Sequence, residues 1–284
     1  MTTPPDSSAP PLRSSDEQSV GGPGPHGGMS NVAALTEYIL SLADDALVAA
    51  QRMGEWIAAS PQIEEDVALG NIGLDLLGQA RSLLSYAGSL DEPPRTEDDL
   101  AYFRDADAFR NVRLVERPWG DEGLDFGVAM VRLLVLSTYH CELYDRLQAS
   151  TDPTLAAVAA KAVKEVDYHR DHATLWVLRL GDGTDESHRR VQAALAAEWP
   201  FVDELFDGSY VDPVLVDTGV AVDPSTLRDA FDRRVGEVLA EATLTLPDVP
   251  PAAGGGRHGE HTSHLAPLLE DMQSLARRHP GVTW

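Results

Sequence analysis

The stretch that most constrains the fold is Lys161-Ala-Val-Lys-Glu-Val-Asp-Tyr-His-Arg-Asp-His172, the middle of a helix predicted to begin after Pro153. At helical spacing, Ala159, Val163, Val166, Ala173 and Val177 form an apolar stripe. Beside it, Ala162, Glu165, Tyr168 or His169, His172 and Trp176 form a second stripe, which puts a carboxylate and imidazoles where a core should be. Buried charge is costly unless it is paired, hydrogen-bonded or metal-bound. Another element must therefore supply partners.

A counterpart lies upstream. In the segment from Asp66 to Leu84, Asn71, Asp75, Gly78 and Ser82 recur at four, three and four, while Ile72, Leu74, Leu76 and Leu77 make the rest of the helix apolar almost all round. That pattern places Asp75 inside. Two helices, each with an acid in apolar surroundings, match a four-helix bundle that holds a dinuclear metal through Glu and Glu-x-x-His pairs.

The other elements follow from periodicity and stop signals. A first helix is predicted from about Val32 to Ala59, with Leu35, Ile39, Leu42, Ala46, Ala49, Met53 and Trp56 alternating by four and three. Ser60-Pro61 provides a cap and first-turn proline for the second helix, to about Ala87, and so short a connection makes the two antiparallel neighbours. Gly70, Gly73 and Gly78 predict close approach of another backbone there. Thr96-Glu-Asp-Asp99 reads as a capping box before a short helix from Leu100 to Phe109. The connection to the third long helix, which carries Phe126 to Tyr144, is about 35 residues, long enough to cross a bundle. Glu142 on that helix looks solvent-facing, and Cys141 packs. Asp152-Pro153 starts the fourth helix, predicted to run to Leu180. Accessory helices are expected over about Asp185–Phe206, with a bend at Trp199-Pro200, over Asp223–Thr243, and from Thr262 to His279, capped by Thr262 or Ser263.

The fold expected is all-α: a ferritin-like four-helix bundle with one long crossover and additional C-terminal helices. Residues 1–30, rich in Pro, Gly and Ser, are expected to form a disordered tail, with Met29 an alternative start to Met1, and residues 31–284 one helical domain.

A working di-iron site needs two lone carboxylates and two Glu-x-x-His pairs, because i and i+3 project to one face. Asp45 and Asp75, about 30 residues apart across the hairpin, are predicted to face one layer. Where histidines are required three residues after Asp75 and Glu165, the chain has Gly78 and Tyr168, and His169 lies about 100° further round. Asp45, Asp75, Gly78, Glu165 and Tyr168 thus read as a degenerate ligand set, its acids paired with neighbours such as Lys161 or His172. An intact metal site and an off-register one from Glu165, His169 and His172 are the alternatives. His258-Gly-Glu-His261-Thr-Ser-His264 reads as loop and cap rather than zinc site.

Lys and Arg total 22 against 46 Asp and Glu, a net charge of -24, which excludes phosphate backbones and anionic lipid surfaces as partners. One cysteine excludes an internal disulfide and thiolate clusters. No apolar run is expected to reach the ~20 residues of a membrane span, and the start lacks a signal-peptide core, so the chain reads as cytoplasmic.

At these same residues the chain resembles a known family. Gly54-Glu-Trp56, Asn71-Ile-Gly-Leu-Asp-Leu-Leu-Gly-Gln-Ala-Arg81, Lys161-Ala-Val-Lys-Glu165 with Tyr168-His169, Arg179-Leu-Gly-Asp-Gly-Thr184 and the ending from His261 to Trp284 are similar to the C subunits of bacterial phenylacetyl-CoA 1,2-epoxidases, over about Leu35 to Trp284. The resemblance implies a ferritin-like scaffold without iron or other cofactor that pairs with a homologous catalytic subunit. That partner would hold the di-iron centre and bind the CoA thioester, and a flavin and iron-sulfur reductase would deliver electrons from NADPH. Epoxidation of the aromatic ring in aerobic phenylacetate breakdown is then chemistry of the complex, and no catalytic residue carries over to this chain. From the residues alone, an autonomous di-iron oxygenase or ferroxidase and a stand-alone helical binding module stay open.

Overall fold

Apolar residues at alternating spacings of four and three draw four long helices, and aspartate caps set the starts of the last two. The computed structural model describes residues 1–2, 31–121 and 123–282, so all but the first two residues of the tail expected to be disordered lie outside it. Helix α1 (Asn31–Gly54) buries Ile39, Leu42, Ala46, Ala49 and Met53. It stops short of Ala59 because Ala58 adopts a φ of 62° and its amide donates to Asp66 Oδ1 at 2.6 Å, turning the chain back. Helix α2 (Ile63–Ser89) therefore begins after Ser60-Pro61, not at them; its N-cap is Gln62, with no side-chain cap. Glu64, Glu65 and Asp66 stand at the positive end of its dipole and stabilise that start.

Residues 90–125 cross to the second half. Helix α3 (Glu97–Tyr102) has the expected capping box, Thr96 and Asp99 each accepting from the other's amide. A 3-10 helix at Ala106–Ala108 replaces the remainder of the predicted element, and the short α4 (Arg113–Glu116) follows beyond it. Helix α5 (Phe126–Leu147) is capped by Asp125, and α6 (Pro153–Gly181) by Asp152 with proline in its first turn. Helix α5 is long and apolar enough to span a membrane, contrary to the sequence reading, but 89% of its most apolar window is buried inside the protein. It is the central helix.

Helix α1 packs on α2 and α5 on α6, and the hairpins meet where α2 lies on α6. Helices α1 and α5 face each other across a small cavity lined by Ala49, Met53, Leu133 and Leu136. Helices α7 (Asp185–Glu198) and α9 (Arg228–Glu241) cover α5 and α6. Between them the chain bends in 3-10 helices at Trp199–Phe201 and Asp203–Phe206 and forms α8 (Pro213–Asp217), which the sequence reading missed. Helix α10 (Leu265–Arg278) lies on α3; its N-cap is His264, and Thr262 Oγ1 accepts from the His264 amide instead of capping the helix. The fold is all-α and ferritin-like, with no strand among the described residues, and one buried core extends from Ala34 to Leu269.

Of Gly70, Gly73 and Gly78, only Gly73 is closely packed: a Cβ there would lie 3.2 Å from Met53 Cβ. At Gly70 a Cβ would meet nothing within 4 Å, and at Gly78 only Lys161 Nζ at 3.7 Å.

Candidate functional site

The polar stripe forms a ladder along the seam between α2 and α6. Gln79 Nε2 donates to Glu165 Oε2 at 3.0 Å, and Lys161 Nζ lies 3.2 Å from Glu165 Oε1. On the next rung, His169 Nε2 is 3.1 Å from Asp75 Oδ2. On the third, Trp176 Nε1 donates to Glu65 Oε2 at 2.8 Å, with His172 Nε2 3.1 Å from the same oxygen. The rungs run in opposite order along the two helices, as antiparallel neighbours require. Burial holds His169 and His172 below the ordinary imidazole value against the pull of their carboxylates. His140, on α5, is pushed down to about 3 by burial and by the nearby His169 and Arg257 charges.

Asp75 is not inside. Its side chain is 37% exposed, and it is the neighbouring Leu76 and Gln79 that are buried. The helix is thus turned about 100° from the orientation that Asp75 and Gly78 suggest. The cause is visible on the outer face: Val67 and Leu74 are exposed, so α2 is apolar on both sides and its pattern does not say which is core. Tyr168 is likewise half exposed, and His169 takes the buried place beside it.

Asp45 joins a different network, and it shares no partner with Asp75. Its Oδ2 accepts from Arg257 Nη2 at 2.7 Å and its Oδ1 from the Val112 amide at 2.8 Å. Burial opposes the Arg257 charge most strongly, but Asp45 together with Tyr210 and Tyr139 holds the guanidinium above its ordinary value. The same solution recurs at acids that the sequence reading did not single out. Asp44 binds Arg104 and the Arg110 amide. Glu198 binds Arg132 and Arg117. Glu204 accepts from the amides of Arg113, Gly255 and Gly256, and Glu116 from that of Thr262. The signal for these was present: in a chain with few cations, Arg104, Arg110, Arg113 and Arg117 crowd into the crossover.

The buried polar side chains of α5 include Arg132, Ser137, Thr138 and His140, and none of them is a carboxylate. Glu142 is partly buried under α9, where Arg234 Nε donates to it at 2.8 Å, rather than facing solvent. Cys141 is buried, and burial pushes its thiol up to about 11.

These residues do not fit a di-iron centre. Asp45 is held by Arg257, Asp75 by His169 and Glu165 by Lys161 and Gln79, and among the described residues no three His, Cys, Asp or Glu side chains converge to hold a metal ion. The off-register trio separates in the same way, with Glu165, His169 and His172 on three different rungs.

A family model described as phenylacetic acid catabolic protein matches residues 27–284. The chain belongs to this family. The C subunit of the 1,2-phenylacetyl-CoA epoxidase of Escherichia coli (strain K12) is 46% identical over 250 residues, covering 88% of this chain and 99% of that relative.

In this member of the phenylacetic acid catabolic family the second histidine cluster is dispersed. His258 Nε2 lies 3.2 Å from Ser209 Oγ, His261 Nε2 lies 3.1 Å from the Phe109 carbonyl oxygen, and His264 is the exposed N-cap of α10. The loop fastens the C-terminal segment to the crossover. Gly259 takes a φ of 80° and lies so close to the Asp107 carbonyl that a Cβ would be 2.3 Å from it.

Proposed function

We propose that the chain is the structural subunit of a multicomponent phenylacetyl-CoA epoxidase in aerobic phenylacetate catabolism. It pairs with and stabilises a homologous catalytic subunit; that partner holds the di-iron centre and epoxidises the aromatic ring, with electrons from a reductase of the same complex. The chain carries no iron, cofactor or catalytic residue of its own. It works in the cytoplasm as one helical domain behind a tail of about 30 residues.

The observation that carries this reading is the fate of the interior acids. In a di-iron bundle they converge with open positions left for the metal. Here each is held by a guanidinium, an ammonium, an imidazole, an amide side chain or backbone N–H groups, which stabilise the bundle without a metal. The named relative supplies the complex to which such a bundle belongs.

The test is iron content and turnover of phenylacetyl-CoA by this chain alone, and again after co-expression with the candidate catalytic subunit. An autonomous oxygenase or ferroxidase would show about two irons per isolated chain.

A further inference from the structure

A groove between α1 and α2 opens to solvent on the outer side of the first hairpin. Along α2, Ile63, Val67, Gly70, Leu74 and Leu77 follow at four, three, four and three residues, the spacing of a coiled-coil seam. Ile63, Val67 and Leu74 are 75%, 59% and 65% exposed. Leu47, Ala50 and Gly54 of α1, with Ile57 just beyond it, follow at three, four and three along the other wall. The groove holds about 550 Å³ and is flanked by Tyr102 and Met272. A Cβ on Gly70 or Gly54 would meet nothing within 4 Å, so both walls are notched.

We propose that this groove seats one amphipathic helix of the partner subunit, with an apolar stripe along its centre and basic residues on its flanks. The proposal rests on the scaffold reading. The spacing of the two walls is the register of a helix laid along α2, since side chains repeating every 3.5 residues accept knobs of the same period. The charge of the rim sets the flanks: Asp66 lines the groove, and Glu64, two residues before it on α2, is exposed. A second copy of this chain is the wrong occupant, because each copy brings a net charge of -24. The chain's own tail is also wrong: residues 1–30 contain only Met1, Leu12, Val20 and Met29 as large apolar residues, without helical spacing. A continuous apolar strip of this kind on an otherwise acidic surface is the mark of a protein interface.

The experiment is sedimentation velocity and affinity measurement with the co-expressed catalytic subunit, for the wild type and four variants. Leu74→Asp puts a charge on the seam, and Gly70→Leu fills the notch in a position where the free chain has room. Leu175→Asp and Leu246→Asp place the same charge on exposed apolar residues away from the groove. Circular dichroism and melting confirm that each variant folds. The expected result is that the two groove variants weaken the complex roughly tenfold or more while the two controls bind as the wild type does. Wild-type affinity in both groove variants, or equal losses in the controls, overturns the groove as the seat and leaves the scaffold reading standing. A wild-type dimer of this chain that Leu74→Asp breaks overturns the occupant. Failure of the wild type to bind the catalytic subunit overturns the scaffold reading itself, and this proposal with it.

Discussion

Arg257 and Asp45 sit 1% exposed each, 212 residues apart in sequence, and at the residue scale they show how the bundle interior is held. Removing one partner of a buried pair leaves the other charged and unpaired, which costs about 3–5 kcal/mol. Arg257→Ala is therefore expected to lose that much stability in denaturant unfolding, and Asp45→Asn combined with Arg257→Met to recover most of it. His140 gives the pH dependence. Its imidazole titrates at about 3 when folded and near 6.5 when unfolded, so between those values the unfolded chain binds more protons. Stability from this group is complete above pH 6.5 and is lost as pH falls toward 3, by about 2 kcal/mol at pH 5. His169 and His172, also lowered, act in the same direction. Unfolding midpoints at pH 7.5 and 5 measure the effect; the gap between them should shrink in His140→Leu, and an unchanged gap would rule His140 out. Sequence reasoning found Asp45, Asp75 and Glu165 but missed Gln79, His140 and Arg257, because a stripe on one helix carries no record of what approaches it.

Helices α3 and α6 were legible because their start signals are local: the Thr96–Asp99 box and Asp152-Pro153 lie within four residues of the amides that they satisfy. The end of α1 was not, since it depends on Ala58 reaching Asp66 across a turn with no glycine or proline at the critical residue. The glycines separate in the same way. Gly70→Ala adds a methyl to open space and removes backbone freedom, so it should raise stability by about 0.5–1 kcal/mol. Gly88→Ala would put its Cβ 2.1 Å from the Arg95 carbonyl and should lower stability by about 1–3 kcal/mol. Melting temperatures of the two variants should move in opposite directions; equal shifts would mean that helix propensity alone governs both.

Across the whole molecule, the crossover and the C-terminal segment place positive charge and N–H donors against interior acids. Arg104, Arg113 and Arg117 come from the crossover, and Gly255, Gly256, Arg257 and Thr262 from the segment before α10. A bundle held in this way should fold without iron. The purified chain is expected to be colourless, with far less than one iron per molecule and a melting temperature unchanged by ferrous iron or chelator. The co-expressed complex should hold its iron in the catalytic subunit. A melting temperature of the isolated chain that rises with ferrous iron would contradict this account.

The sequence by itself determined the all-α class, the existence of four long helices and a long crossover, and most helix starts, because periodicity and caps act within a few residues. The family resemblance was readable in short segments from Gly54-Glu-Trp56 to the ending at Trp284. Tertiary structure alone decided that α2 turns Leu76 and Gln79 inward and leaves Asp75 at the edge, that Asp45 meets Arg257, and that a second apolar seam on α2 faces solvent. The physical reason is rotational. A helix apolar on two sides has two nearly equivalent orientations about its axis, and only the packing of distant segments against it selects one.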